Sequence, residues 1–126
     1  MPSLYHNWRV WTLQSIDPPD TALTFRLLPG TLKTMGRAPR ADFVVDAALV
    51  SRIHCRFTLS KANDLELEDL GSTNGTFLNG NKVTKSGLID GDKIKVGRVE
   101  FLVNSASTDE GDPSRKRRRR SSPGSG

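Results

Sequence analysis

The chain has 126 residues, enough for one domain and a tail. Hydrophobic residues make up 35% and charged residues 26%, too polar a mixture for the whole chain to fold around a core, and no apolar run approaches the length of a membrane-spanning helix. The net charge of +5 does not by itself indicate a nucleic-acid-binding fold, because residues 105–126 hold six basic and three acidic side chains and so carry +3 of it.

Apolar residues concentrate between Trp8 and Val103, which places the domain over 8–104 after a short leader, 1–7. A first strand is predicted near Trp8–Gln14. Pro18 and Pro19 then interrupt it, since proline lacks a backbone donor and fixes φ. A strand near Thr24–Leu28 leads to the turn signal Pro29-Gly30, followed by strands near Thr31–Met35 and Phe43–Val45. The next strand follows "SRI" and ends near Ser60, with Cys55, Phe57 and Leu59 alternating with Arg56 and Thr58. After the loop "KAND", Leu65 and Leu67 alternate with Glu66 and Glu68 as another strand. Asn74-Gly75 and Asn79-Gly80 are strong hairpin-turn signals. "IDGDKI" is a further tight turn. Strands near Lys93–Val96 and Val99–Val103 close the domain, with Gly97-Arg98 between them. No segment holds a helical period over ten residues. Many short strands separated by turn residues indicate an all-β sandwich.

From about Asn104 the chain becomes polar and aperiodic. Residues 105–126 are expected to be a disordered tail, since they cannot bury enough apolar surface to offset their conformational entropy. The tail contains Arg115, Lys116, Arg117, Arg118, Arg119 and Arg120 in sequence. Such a run reads first as a nuclear-import signal, with an import receptor as partner and a nuclear location. Its second reading is a nucleic-acid contact without sequence preference, which would make the chain a nucleic-acid-associated adaptor. No aromatic residues interleave with the arginines to support single-strand binding. The single cysteine, Cys55, excludes an intrachain disulfide framework and falls at an apolar position of its strand. The N-terminus shows no charged region followed by an apolar stretch, so an intracellular setting is expected. No membrane partner and no cofactor are expected.

Three polar groups fall in predicted loops: Gly36-Arg37, Ser51-Arg52-Ile53-His54, and Ser72-Thr73-Asn74-Gly75-Thr76. Loops of a sandwich gather at its ends. If these three share one end, they bring together two guanidiniums, hydroxyls, an amide and backbone N–H groups, all donors. The three segments contain no carboxylate. Such a set suits a multivalent anion, and a phosphate is the natural candidate.

With these motifs in place, the chain resembles the forkhead-associated (FHA) domain family. The G-R pair, the S-x-x-H group and the T-N-G group occur in family order, and "DLGSTNGTFLNG" is especially close to the family form. The resemblance covers about Trp8–Val103. It implies a β-sandwich of two mainly antiparallel sheets that binds phosphothreonine peptides through loops at one end, with a phosphothreonine-containing protein as partner. It implies that Arg37, Ser51 and Arg52 bind the phosphate, that Thr73 contacts the phosphate or the peptide, and that Asn74 holds the peptide backbone. Gly36, His54 and Gly75 are implied to be architectural, His54 bracing the loops. The segment Ala47–Val50 is implied to help choose the residue three positions after the phosphothreonine; lacking arginine, it favours an apolar or small one. An N-terminal domain of this kind further resembles those of checkpoint kinases and nibrin-like repair proteins, which points to nuclear signalling in the DNA-damage response.

An enzyme is not expected. A hydrolytic triad would need Ser51, His54 and an acid such as Asp69 in reach of one another, and no nucleophile elbow is present. His54 and Cys55 are adjacent in a strand and point to opposite faces. His6, His54 and Cys55 do not form a spaced metal-ligand set.

Overall fold

The computed structural model describes residues 9–107. The leader, Trp8 and the run Arg115–Arg120 lie outside the described residues. The described chain forms β1 (Arg9–Asp17), β2 (Thr24–Leu27), β3 (Thr31–Gly36), β4 (Phe43–Val44), β5 (Cys55–Leu59), β6 (Leu65–Asp69), β7 (Thr76–Leu78), β8 (Asn81–Val83), β9 (Lys85–Leu88), β10 (Lys93–Val96) and β11 (Val99–Ser107).

The strands build two sheets, in the orders β2-β1-β11-β10-β7-β8 and β4-β3-β5-β6-β9. All pairings are antiparallel except β3 with β4, where Met35 faces Phe43 and Gly36 faces Val44. The result is an all-β sandwich. Period-two alternation decides which side chains enter the space between the sheets. Cys55, Phe57 and Leu59 of β5 point inward, as do Leu65 and Leu67 of β6, Ile94 and Val96 of β10, and Phe101 and Val103 of β11. Four phenylalanines join the layers. Phe25 stacks on Phe43 with centroids 4.6 Å apart, and Phe101 and Phe57 pack at 6.0 and 6.4 Å on either side of that pair. This core holds the strand ends, and thereby the loops, in place.

The structure departs from the sequence reading at three places. β1 continues through Ser15 and Ile16 to Asp17, so the chain turns only at Pro18. β11 runs past Val103 to Ser107, which moves the domain boundary beyond 104. Asn104–Ser107 lack an apolar pattern, but they pair with Arg9–Thr12 of β1 through the backbone, which needs no apolar side chain. β7, β8 and β9 are not among the predicted strands, although the Asn79-Gly80 turn signal sits between the first two; all three are short, and β8 and β9 are largely exposed and lie at sheet edges, where little burial shapes the sequence.

The two Asn-Gly pairs have different roles. Asn79 and Gly80 both take positive φ, 49° and 88°, and turn β7 into β8. Asn74-Gly75 makes no hairpin. Only Gly75 takes positive φ, at 89°, in the loop before β7.

Candidate functional site

The three polar groups come together at one end of the sandwich. Gly36-Arg37 closes β3, Ser51-Arg52-Ile53-His54 leads into β5, and Ser72–Gly75 joins β6 to β7. The first two are joined by continued pairing beyond the strands: Arg37 N donates to Ser51 O (2.9 Å), Ala38 N to Arg52 O (3.0 Å), and His54 N to Met35 O (2.8 Å). Gly36 makes this approach feasible. A Cβ there would lie 2.1 Å from the Arg52 carbonyl oxygen, so no side chain fits while the two segments stay paired.

Arg37, Ser51, Arg52, Thr73 and Asn74 line a single open groove. Arg37 is exposed and anchored by its inner nitrogen, Nε donating to Val50 O at 3.1 Å, so its terminal nitrogens remain for a ligand. Thr73 N donates to Ser51 Oγ at 2.9 Å, which ties the second loop to the third. That hydroxyl thereby accepts one bond and keeps its own hydrogen to donate. Asn74 Nδ2 donates to Leu49 O at 3.2 Å, using one of its two N–H donors. Leu49 holds φ at 70° beneath this bond. Arg52 is exposed on the rim.

His54 lies under the groove, fully buried, and does not line it. Ser51 N donates to its Nδ1 at 3.0 Å, so Nδ1 carries no proton and Nε2 does. Nε2 lies 3.0 Å from Gly75 O and donates to it. One neutral imidazole therefore joins the second loop to the third. Burial pulls its pKa below the ordinary histidine value, against the opposing pull of the Gly75 carbonyl and the Asp69 charge. The neutral ring is the form this geometry requires.

Asp69 is a residue whose part the sequence reading missed; it entered there only as a triad acid. At the end of β6 it gathers the third loop. Its Oδ1 accepts from Ser72 Oγ and Thr76 Oγ1, both at 2.6 Å, and its Oδ2 from Gly71 N (3.0 Å) and Ser72 N (3.1 Å). Burial raises its pKa, but these hydrogen bonds outweigh burial and leave it below the usual carboxylate range. An acid followed three residues later by a serine is the signal that could have shown this loop closure.

A second acid, from outside the three segments, joins the donors at the groove. Asp46, between β4 and the Ser51 segment, lines the groove as well.

Hydrolytic chemistry does not fit this geometry. The His54 ring nitrogens are engaged by the backbone of Ser51 and Gly75, and Asp69 is held by Ser72, Thr76 and Gly71. The imidazole has no free nitrogen to take a proton from the Ser51 hydroxyl. Cys55 is fully buried, and burial pushes its thiol pKa far up, which makes it a core residue and not a nucleophile.

Residues 33–97 match the family model of the FHA domain. The chain is 36% identical over 87 residues to the glycogen accumulation regulator GarA of Mycolicibacterium smegmatis, covering 68% of this chain and 54% of that protein. It is 36% identical over 83 residues to the oxoglutarate dehydrogenase inhibitor of Corynebacterium efficiens, covering 64% and 58%. The chain thus spans about half the length of the curated relatives it matches. Among solved structures, it superposes with a TM-score of 0.69 and 35% identity on a domain from "Structural and functional analysis of phosphothreonine-dependent FHA domain interactions", covering 75% of this chain and 95% of that one.

Proposed function

This chain belongs to the FHA domain family, and from that premise we propose that it binds phosphothreonine peptides and docks one protein on another once a kinase has marked the partner. The observation that carries this reading is the convergence of the Arg37 guanidinium, the Ser51 hydroxyl and the Asn74 amide on one groove. A phosphate with a charge of about −1.5 to −2 and three acceptor oxygens matches such donors. Arg37 supplies charge-assisted bonds, Ser51 adds a hydroxyl donor, Arg52 adds charge at the rim, and Thr73 and Asn74 meet the peptide. Gly36, His54 and Gly75 shape the loops. The module binds and does not catalyse.

The relatives named above are a regulator and an enzyme inhibitor, both bacterial. They favour a regulator acting through a phosphorylated partner, and they lend no support to the checkpoint-type or nibrin-like DNA-damage setting expected from the sequence. Nuclear import and non-specific nucleic-acid contact rest on Arg115–Arg120 alone, outside the described residues. A fluorescent fusion lacking 108–126 that stays as nuclear as the full chain would end the import proposal.

Calorimetry tests the main reading. A peptide selected from an oriented phosphothreonine library binds, and its unphosphorylated form does not. The phosphoserine form binds about fourfold more weakly if the groove buries the threonine methyl, worth about 0.8 kcal/mol. Equal affinity for phosphorylated and unphosphorylated peptide would sink the proposal.

A further inference from the structure

We propose that Asp46 makes this groove selective for peptides carrying a lysine or arginine close to the phosphothreonine. The inference rests on the phosphopeptide reading above and deepens it. Two carboxylates near the groove, Asp46 and Asp69, differ in one decisive respect. Asp69 has both oxygens filled by four donors, so it offers little to a ligand. Asp46 is exposed and lines the groove, and among the described residues no hydrogen bond or ion pair engages its carboxylate. The ion pairs of the described chain, Arg56 with Glu68 and Lys85 with Glu66, lie elsewhere, on the outer face of the second sheet.

The backbone places Asp46 beside the phosphate end. Val45 N donates to Gly36 O at 2.8 Å, continuing the parallel pairing of β4 with β3, so Asp46 leaves that pairing next to Arg37. The groove wall then runs on through Ala47, Ala48 and Leu49. A peptide anchored at Arg37 and extending toward Leu49 passes this carboxylate. The Arg37 and Arg52 guanidiniums of the same groove serve the phosphate, whereas Asp46 is a negative charge in the path of the flanking residues and attracts a cation there. A basic flanking residue supplies it; an acidic one adds repulsion.

The test uses the full chain and phosphothreonine peptides in which one lysine, alanine or glutamate is moved through the three positions on each side. Affinities are read by fluorescence anisotropy for wild type, Asp46→Asn and Asp46→Lys. At one position, lysine should bind about three- to fivefold tighter than alanine and glutamate correspondingly weaker, the size of attraction between unit charges a few ångström apart in water. Asp46→Asn should abolish that difference and Asp46→Lys should invert it. The melting temperature should stay unchanged in both, because no hydrogen bond or ion pair among the described residues holds the side chain. Raising salt should shrink the preference, since the charges are exposed. Phosphopeptides that bind wild type without regard to flanking charge would overturn the inference and leave the phosphopeptide reading standing. So would a lysine preference that survives in Asp46→Asn. If no phosphopeptide binds wild type at all, the broader reading falls and this inference falls with it.

Discussion

Two residues of the site separate binding from support. Arg37 lines the groove and its side chain is anchored by one bond, Nε to Val50 O, so Arg37→Ala removes the charge and that single tie while the backbone pairing of the loops remains. Phosphopeptide affinity should drop about tenfold to a hundredfold, the value of a lost charge-assisted bond, with a smaller loss of melting temperature than His54→Ala shows. His54→Ala should lower both. It strands Ser51 N and Gly75 O in a buried place, at about 1–3 kcal/mol for each group left unpaired. Melting curves and isotherms of the two variants decide the matter; a His54→Ala protein that melts like wild type yet fails to bind would make His54 a ligand-contact residue. The imidazole also sets a pH response. Its pKa is lowered in the fold from 6.5, so the unfolded chain binds more protons below that pH. The His54 contribution to stability is therefore present above about pH 6.5 and lost as the pH falls through the lowered folded value. Between about pH 7 and pH 5 the wild type should lose more melting temperature than His54→Ala. Melting is the proper readout, because the phosphate itself protonates near pH 6. The polar motif was legible in the sequence because each of its residues is polar within an otherwise strand-like pattern. The Asp69 hub was not, since its spacing to Ser72 in "LEDLGS" is a single local cue, while the Thr76 hydroxyl and the Gly71 N–H that complete its four donors are brought to it by the folded loop.

At the scale of strands and loops, the paired segments after β3 and before β5 form the rigid seat of the site. Gly36→Ala should pry them apart, because its Cβ would meet the Arg52 carbonyl at 2.1 Å. We expect a loss of about 1–3 kcal/mol in stability, as overpacking gives, together with weaker phosphopeptide binding. Denaturant melts and the calorimetric titration check both; an unchanged Gly36→Ala protein would mean that the close approach is dispensable. The strands that alternate cleanly, such as β5 and β6, were readable because one face is buried and the other is wet. β8 and β9 were not, because exposed edge strands carry no such contrast. The turn at Asn79-Gly80 was readable from its residue types. The same dipeptide at 74–75 behaves differently because its neighbours are held by Asp69 and His54, and tertiary contacts override local turn preference there.

For the molecule as a whole, the boundary of the folded unit is a testable quantity. β11 pairs with β1 as far as Ser107 opposite Arg9, so a chain ending at 107 should keep the melting temperature of the full protein. A chain ending at 104 loses the partners of Arg9, Val10 and Trp11 and should melt several degrees lower, about 4–8 °C for each kcal/mol lost in a domain of this size. Equal melting of the two truncations would place the boundary back at 104. The sequence missed these last residues because backbone pairing leaves no mark on side-chain hydrophobicity. That same pairing has a topological consequence. Arg9 and Ser107 are neighbours across the sheet, at the far end from the groove, and so is the Lys61–Asn63 turn, where Asn63 takes the indole hydrogen of Trp11 at 2.9 Å. The order in which the strands are synthesised is therefore separable from the shape they make. A short Gly-Ser bridge from 107 back to 9, with the chain opened at the Lys61–Asn63 turn, would yield a circular permutant whose new ends stay clear of the ligand, so the module can be spliced into a host protein through either pair of ends.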